Sequence, residues 1–204
     1  MQSIKNIIFD LGGVLLTLNY NRTETAFIDL GVYHFAQLYN QQKASPLFEQ
    51  LEMGEISNHD FFEAFRKVGN MNLSDQQMEQ AWCAMLGHFP AEVLTFLAEV
   101  KNRYNIYLFS NTNRIHHSAF IKIYEQQTGL KNFDDFFIKA WYSHNLGARK
   151  PYPKAYTKLL QLENLQASET LFIDDSKVNI DGAEAAGLQT IWLQTSQNVW
   201  QLGL

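Results

Sequence analysis

The sequence predicts an α/β fold: a parallel sheet of about five strands with helices on both faces, interrupted after the first strand by an inserted α-helical cap. Short runs that are apolar on both faces recur along the chain, as strands of a helix-covered parallel sheet must be. Amphipathic segments with helix start signals lie between them. Residues from about 18 to 86 break that rhythm and show only helical spacing.

Taken in order, residues 4–10 form an apolar run ending at Asp10, just ahead of the pair Gly12-Gly13, the pattern of a buried strand stopping at a loop. In the inserted segment, Ser57 and Ser74 stand as N-caps ahead of Phe61-Phe62-Phe65 and Met78-Trp82-Met85. Pro90 opens a helix over 91–103, a strand follows over 106–110, and Asn113 precedes a helix over 114–127. Further strands are expected over 136–140, 170–174 and 190–193, with helices over 154–162, opened by Pro153, and over 178–186. Residues 1–17 and 87–204 then form the sheet domain and 18–86 the cap. No Gly- and Ser-rich linker separates them, so the cap is expected to pack on the sheet domain as a lid.

Composition narrows the function. The 204 residues are 46% hydrophobic, enough for a sizeable core, and 16 basic against 21 acidic residues give a net charge of −5. That balance, with no long basic stretch, argues against a nucleic-acid partner. Apolar runs are far shorter than the roughly 20 residues that cross a bilayer, so no membrane partner is expected. The single cysteine, Cys83, cannot form an internal disulfide, and no cationic start leads into a long apolar run. These features point to a reduced, cytoplasmic protein, monomer or homodimer.

In an open parallel sheet, ligands bind beyond the carboxyl ends of the strands. Three of these strands finish in groups suited to phosphate and metal: Asp10, Ser110-Asn111 and Asp174-Asp175, while Arg149-Lys150-Pro151 stands on a loop ahead of a helix. Singly, each has an ordinary explanation as a turn or cap residue. Their convergence on one edge is the informative observation.

FDLGGVL at 9–15, LFSNTN at 108–113, RKP at 149–151 and FIDDSKVNIDGA at 172–183 resemble the motifs of the haloacid dehalogenase-like (HAD) hydrolase superfamily, in its order and spacing and over the whole chain. The resemblance implies a Rossmann-like core, a small helical cap, an aspartate nucleophile and Mg²⁺. GEIS at 54–57, SNTNRIH at 110–116 and NLGARKP at 145–151 most resemble a subgroup of sugar-phosphate phosphatases that includes a glucose-1-phosphate phosphatase. The substrate implied is a small phosphorylated metabolite.

Chemistry fits these residues to roles. Asp10 can attack phosphorus and form an aspartyl-phosphate. Asp10, Asp174, Asp175 and the backbone carbonyl of Gly12 offer hard oxygen ligands to Mg²⁺. Ser110, Asn111 and the Gly12-Gly13 backbone can bind phosphate oxygens, and Lys150 can offset the charge of the reacting pair. Cys83 is expected in the core, and His116 and His117 on the surface or behind the site. Substrate selectivity is expected from Asn21, Arg22 and residues 52–57.

One departure from the family pattern stands out. Most phosphatases of the superfamily carry a second aspartate two positions after the nucleophile as general acid and base, and here that position is Gly12. Two other readings therefore stay open: a 2-haloacid dehalogenase, in which the aspartate attacks carbon, and a phosphate-binding or scaffold protein with impaired catalysis.

Overall fold

The computed structural model describes residues 3–39 and 46–204. Five parallel strands form one sheet in the order β3-β2-β1-β4-β5: β1 (Asn6–Phe9), β2 (Asn105–Ser110), β3 (Lys139–Tyr142), β4 (Thr170–Asp174) and β5 (Gln189–Trp192). The chain adds β2 and β3 on one side of β1 and β4 and β5 on the other, so strand order reverses between β1 and β4. That is where an open sheet leaves a crevice.

Alternation along the strands divides the core in two. Ile7, Phe9, Ile106, Leu108, Leu171 and Ile173 face one apolar cluster. Ile8, Tyr107, Phe109 and Phe172 face the other. Helices α6 (Ala91–Val100) and α7 (Arg114–Thr128) cover the first face; α9 (Pro153–Leu162) and α10 (Lys177–Ala185) cover the second, after the short α8 (Ser143–Leu146). Because both faces are buried, the central strands read as continuous apolar runs.

The third strand lies three residues later than the apolar run at 136–140 suggests. Phe133–Phe136 instead forms a 3₁₀ turn, and the rings of Phe133 and Phe137 enter the core, with Phe133 4.7 Å from the Phe89 ring. The run is apolar because it fills the space under the sheet edge. The strand itself, at the sheet edge, carries the exposed Lys139.

Between 18 and 86 the described residues fold as helices: α1 (Tyr20–Asp29), α2 (Phe35–Leu38), α3 (Pro46–Glu52), α4 (Asn58–Gly69) and α5 (Asp75–Cys83). Ser57 caps α4 by accepting from the Asp60 N–H, and Ser74 forms a reciprocal capping box with Gln77 on α5. Phe27, Phe48, Phe61, Phe65 and Trp82 build a separate aromatic core, reached from the sheet domain by Ile115 of α7. The chain leaves and re-enters the sheet domain through two segments bonded to each other. Leu18 bridges Leu86, the Thr17 N–H donates to the His88 carbonyl, and the Gly87 N–H donates to the Thr17 carbonyl. Among the described residues no helix is long and apolar enough to cross a membrane.

Candidate active site

At the carboxyl ends of β1, β2 and β4, beneath the helical segment, lies a cavity of about 1110 Å³. Asp10 follows β1, its N–H still donating to the Ile173 carbonyl of β4, and is 8% exposed. Lys150 is 1% exposed, yet charged at its tip: its Nζ lies 2.7 Å from Asp10 Oδ1 and 2.7 Å from Asp174 Oδ2. Burial works against this ammonium, but the two carboxylates outweigh it and its proton affinity is raised. Asn111, at the end of β2, fixes the lysine's backbone from both sides. Its Nδ2 donates to the Lys150 carbonyl and its Oδ1 accepts from the Lys150 N–H, both at 2.9 Å.

The paired acids have different surroundings. Asp174 is fully buried and saturated: besides Lys150, it accepts from the Ser176 N–H at 2.8 Å and from Asn179 Nδ2 at 3.0 and 3.1 Å. Asp175 faces the solvent side, and its Oδ2 lies 2.1 Å from where a Cβ on Gly13 would stand. Gly13 also has φ +75°, so that position has room and conformation for glycine only.

Carboxylate oxygens of Asp10, Asp174 and Asp175 lie within 4.8 Å of one another. On the protein's own charges, burial pushes Asp10 up to about 8, with Asp174 and Asp175 adding to it and Lys150 opposing. Burial and Asp174 push Asp175 up to about 6. Such acids fit a divalent cation, whose charge favours all three as carboxylates. Asp174 shares its oxygens with Lys150, Ser176 and Asn179, so of the three acids it meets the most competing donors.

Ser110 ends β2, is buried, and its hydroxyl makes no hydrogen bond among the described residues. Beyond it, Asn113 caps α7 by accepting from the His116 N–H, so a 15-residue helix begins at the cavity. The Gly12 backbone lines the cavity floor. A Cβ on Gly12 would stand 2.5 Å from Leu18 Cδ1, so this position accepts a side chain only if Leu18 moves.

The roof is held by charge. Arg149 Nη1 pairs with Glu49 Oε1 at 2.7 Å and Nε with Glu52 Oε2 at 2.8 Å, joining the loop before α9 to α3. Glu52 and Tyr20 line the cavity, whereas Asn21 and Arg22, expected to select substrate, are exposed on α1. Tyr20, Thr23 and Phe27 take the inward face of that helix, at spacings of three and four.

His116 is buried, not on the surface. It stacks on Trp82, and its Nε2 lies 3.0 Å from the Trp82 carbonyl, with burial lowering its pKa to about 4. His117 is half-buried against Tyr142 and Phe120. Cys83 is partly buried, its thiol pushed up to about 12 by desolvation. Sequence reasoning missed Asn179 and Glu49. The first has a signal in hindsight, an amide five residues after Asp174 on the following helix; the second has none short of the fold.

Comparison with known proteins agrees with this geometry. The family model for haloacid dehalogenase-like hydrolases matches residues 4–187. D-ribitol-5-phosphate phosphatase of Bacteroides thetaiotaomicron is 29% identical over 92% of this chain and 90% of its own. A sesquiterpene phosphatase of Aspergillus oryzae is 28% identical over 95% and 92%. A crystal structure of a HAD family enzyme from Bacteroides thetaiotaomicron, in complex with magnesium and inorganic phosphate, is 30% identical, covers 99% of this chain and 100% of that one, and superposes with a TM-score of 0.88. With its motifs gathered at one sheet edge and the match running through nearly its whole length, the chain belongs to the haloacid dehalogenase-like hydrolase family.

Proposed function

We propose that this protein is a Mg²⁺-dependent phosphomonoesterase that acts on a small, hydroxylated phosphate through an aspartyl-phosphate on Asp10. The observation that carries the reading is the position of Lys150 Nζ, buried at 2.7 Å from both Asp10 and Asp174. The ammonium occupies Asp10 Oδ1 and leaves Oδ2 without a partner among the described residues, free to attack phosphorus. Its charge also offsets the negative field that an arriving phosphate meets. Ser110 supplies a hydroxyl donor, and the amides at the start of α7 favour an anion. Asp10, Asp175 and the Gly12 carbonyl would hold Mg²⁺, with Asp174 setting Lys150 beside them. When bound, the ion supplies charge neutralisation between phosphate and carboxylate.

The named relatives act on a pentitol phosphate and a sesquiterpene phosphate, and the sugar-phosphate motifs favour the first kind of substrate here. A dehalogenase would bring its substrate's own carboxylate against three acids within 4.8 Å, which disfavours that reading. Hydrolysis of p-nitrophenyl phosphate is expected with Mg²⁺, to vanish with a chelator and to return when Mg²⁺ is restored. Chloride release from 2-chloropropionate in the presence of chelator would replace this reading with the dehalogenase one.

One observation favours binding without turnover, the missing side chain at Gly12. A positioned acid or base contributes roughly 10² to 10⁴ in rate. Gly12→Asp is therefore expected to raise turnover of alkyl phosphates more than aryl phosphates, and more so together with Leu18→Ala, because Leu18 Cδ1 must shift to admit the new side chain. Steady-state kinetics on the double variant and on each single variant check this.

A further inference from the structure

An alkoxide leaving phosphorus needs a proton, and Leu11, Gly12 and Gly13, directly after Asp10, have none to give. Four carboxyl groups other than Asp174 border the cavity: Asp10, Glu49, Glu52 and Asp175. Asp10 is the attacking group, and Asp175 lies against Gly13 on the cation side. Glu49 and Glu52 each give one oxygen to Arg149 and keep the other without a partner among the described residues. Glu49 Oε1 also accepts from the Tyr152 hydroxyl and its side chain is 29% exposed, whereas the Glu52 side chain is the more buried, at 18%. It stands at the end of α3 and lines the same cavity as Asp10.

Resting on the reading above, we propose that Glu52 is the catalytic proton-transfer residue of this site, doing from the cap what the residue at position 12 cannot. In the first step Asp10 Oδ2 bonds to phosphorus, the bond to the leaving oxygen breaks, and the Glu52 proton moves onto that oxygen to release an alcohol. In the second, the Glu52 carboxylate takes a proton from water as the water oxygen bonds to phosphorus. The bond to Asp10 then breaks, phosphate leaves, and both acids return to their starting states.

The surroundings of Glu52 suit both roles. Burial pushes its carboxyl up and Glu49, on the same helix, adds to this; Arg149 and Lys150, on the loop before α9, oppose, and the net shift is upward. The phenols of Tyr39 and Tyr20 complete the ionisable groups that sense it. Arg149 is shared by two carboxylates, so Glu52 can take up a proton while the guanidinium keeps Glu49 as its counter-charge.

The test is a leaving-group series with Glu52→Gln, whose amide oxygen can still accept from Arg149. For an alkyl monophosphate such as D-ribitol 5-phosphate, kcat is expected to fall roughly 10²-fold or more. For p-nitrophenyl phosphate, whose leaving group needs little help, the first step should barely change, so single-turnover phosphorylation is the quantity to compare. The wild-type alkyl-phosphate rate should also fall at high pH, where Glu52 loses its proton, and that limb should be missing in the variant. Glu49→Gln removes a comparable roof contact and should affect all leaving groups alike. Equal losses in single-turnover phosphorylation by alkyl and aryl substrates with Glu52→Gln would overturn the proposal and leave Glu52 as a tether for Arg149. If Glu52→Gln does not fold, Glu52→Asp carries the same comparison, since a shortened acid should still lose selectively on alkyl substrates. A wild-type protein that releases no phosphate from p-nitrophenyl phosphate with Mg²⁺ would instead overturn the reading of the site itself, and this inference with it.

Discussion

Asp10→Asn is expected to lower turnover of p-nitrophenyl phosphate by roughly 10³-fold or more, about 4 kcal/mol in the barrier, while leaving the protein folded. The amide oxygen can still accept from Lys150, but it cannot form a stable bond to phosphorus. Stability should not fall with activity. Asp10 is pushed up to about 8 by burial and by Asp174 and Asp175, so its charged form costs the fold something wherever pH exceeds its unfolded value of about 4. A neutral Asn escapes that cost, and Lys150 keeps Asp174 as counter-charge. Thermal melts at pH 7.5 should therefore show a midpoint equal to or above that of the wild type. Activity that survives the substitution would exclude a covalent path through Asp10.

Lys150→Met should damage both properties. The variant loses the ammonium that stands between Asp10 and Asp174 and leaves those carboxylates facing each other in a buried site. Breaking a buried pair in this way costs about 3–5 kcal/mol. The loss is expected to depend on pH. Lys150 holds Asp10 down against burial, so without it Asp10 keeps its proton to higher pH, and the variant's stability is best retained at low pH and lost as pH rises through the folded value of Asp10. Denaturant midpoints at pH 5 and pH 8 check this, and the gap from wild type should widen toward pH 8. A gap that stays constant would mean that Met disturbs packing against Phe109 and Phe172, whose rings lie 5.5 and 5.3 Å from Nζ, more than it disturbs charge.

Much of the fold was legible because its signals are local. Doubly buried strands announce themselves as unbroken apolar runs, and Ser57, Ser74 and Asn113 act through hydrogen bonds three residues away. The third strand was not legible. Apolar character reports burial and cannot say whether Phe136 and Phe137 extend along a sheet or turn beneath it. The same boundary runs through the site. Asp10, Lys150 and Asp174 could be named from strand ends and motifs, but the different engagement of Asp174 and Asp175 depends on Asn179 in the first turn of α10 and on Gly13 in the loop after β1. Asn111 was expected to offer phosphate its backbone N–H, and its side chain has a further task that the sequence does not announce, holding the Lys150 backbone. The roof was the least legible part, because Arg149 is about a hundred residues from Glu49 and Glu52 and nothing local pairs them.

The bridge between Leu18 and Leu86, together with the bonds around Thr17, has a mechanical consequence. Both connections between the helical segment and the sheet domain pass through this one bonded pair, so the chain itself tethers the segment at a single place and not at two. A change that loosens one connection therefore loosens the other.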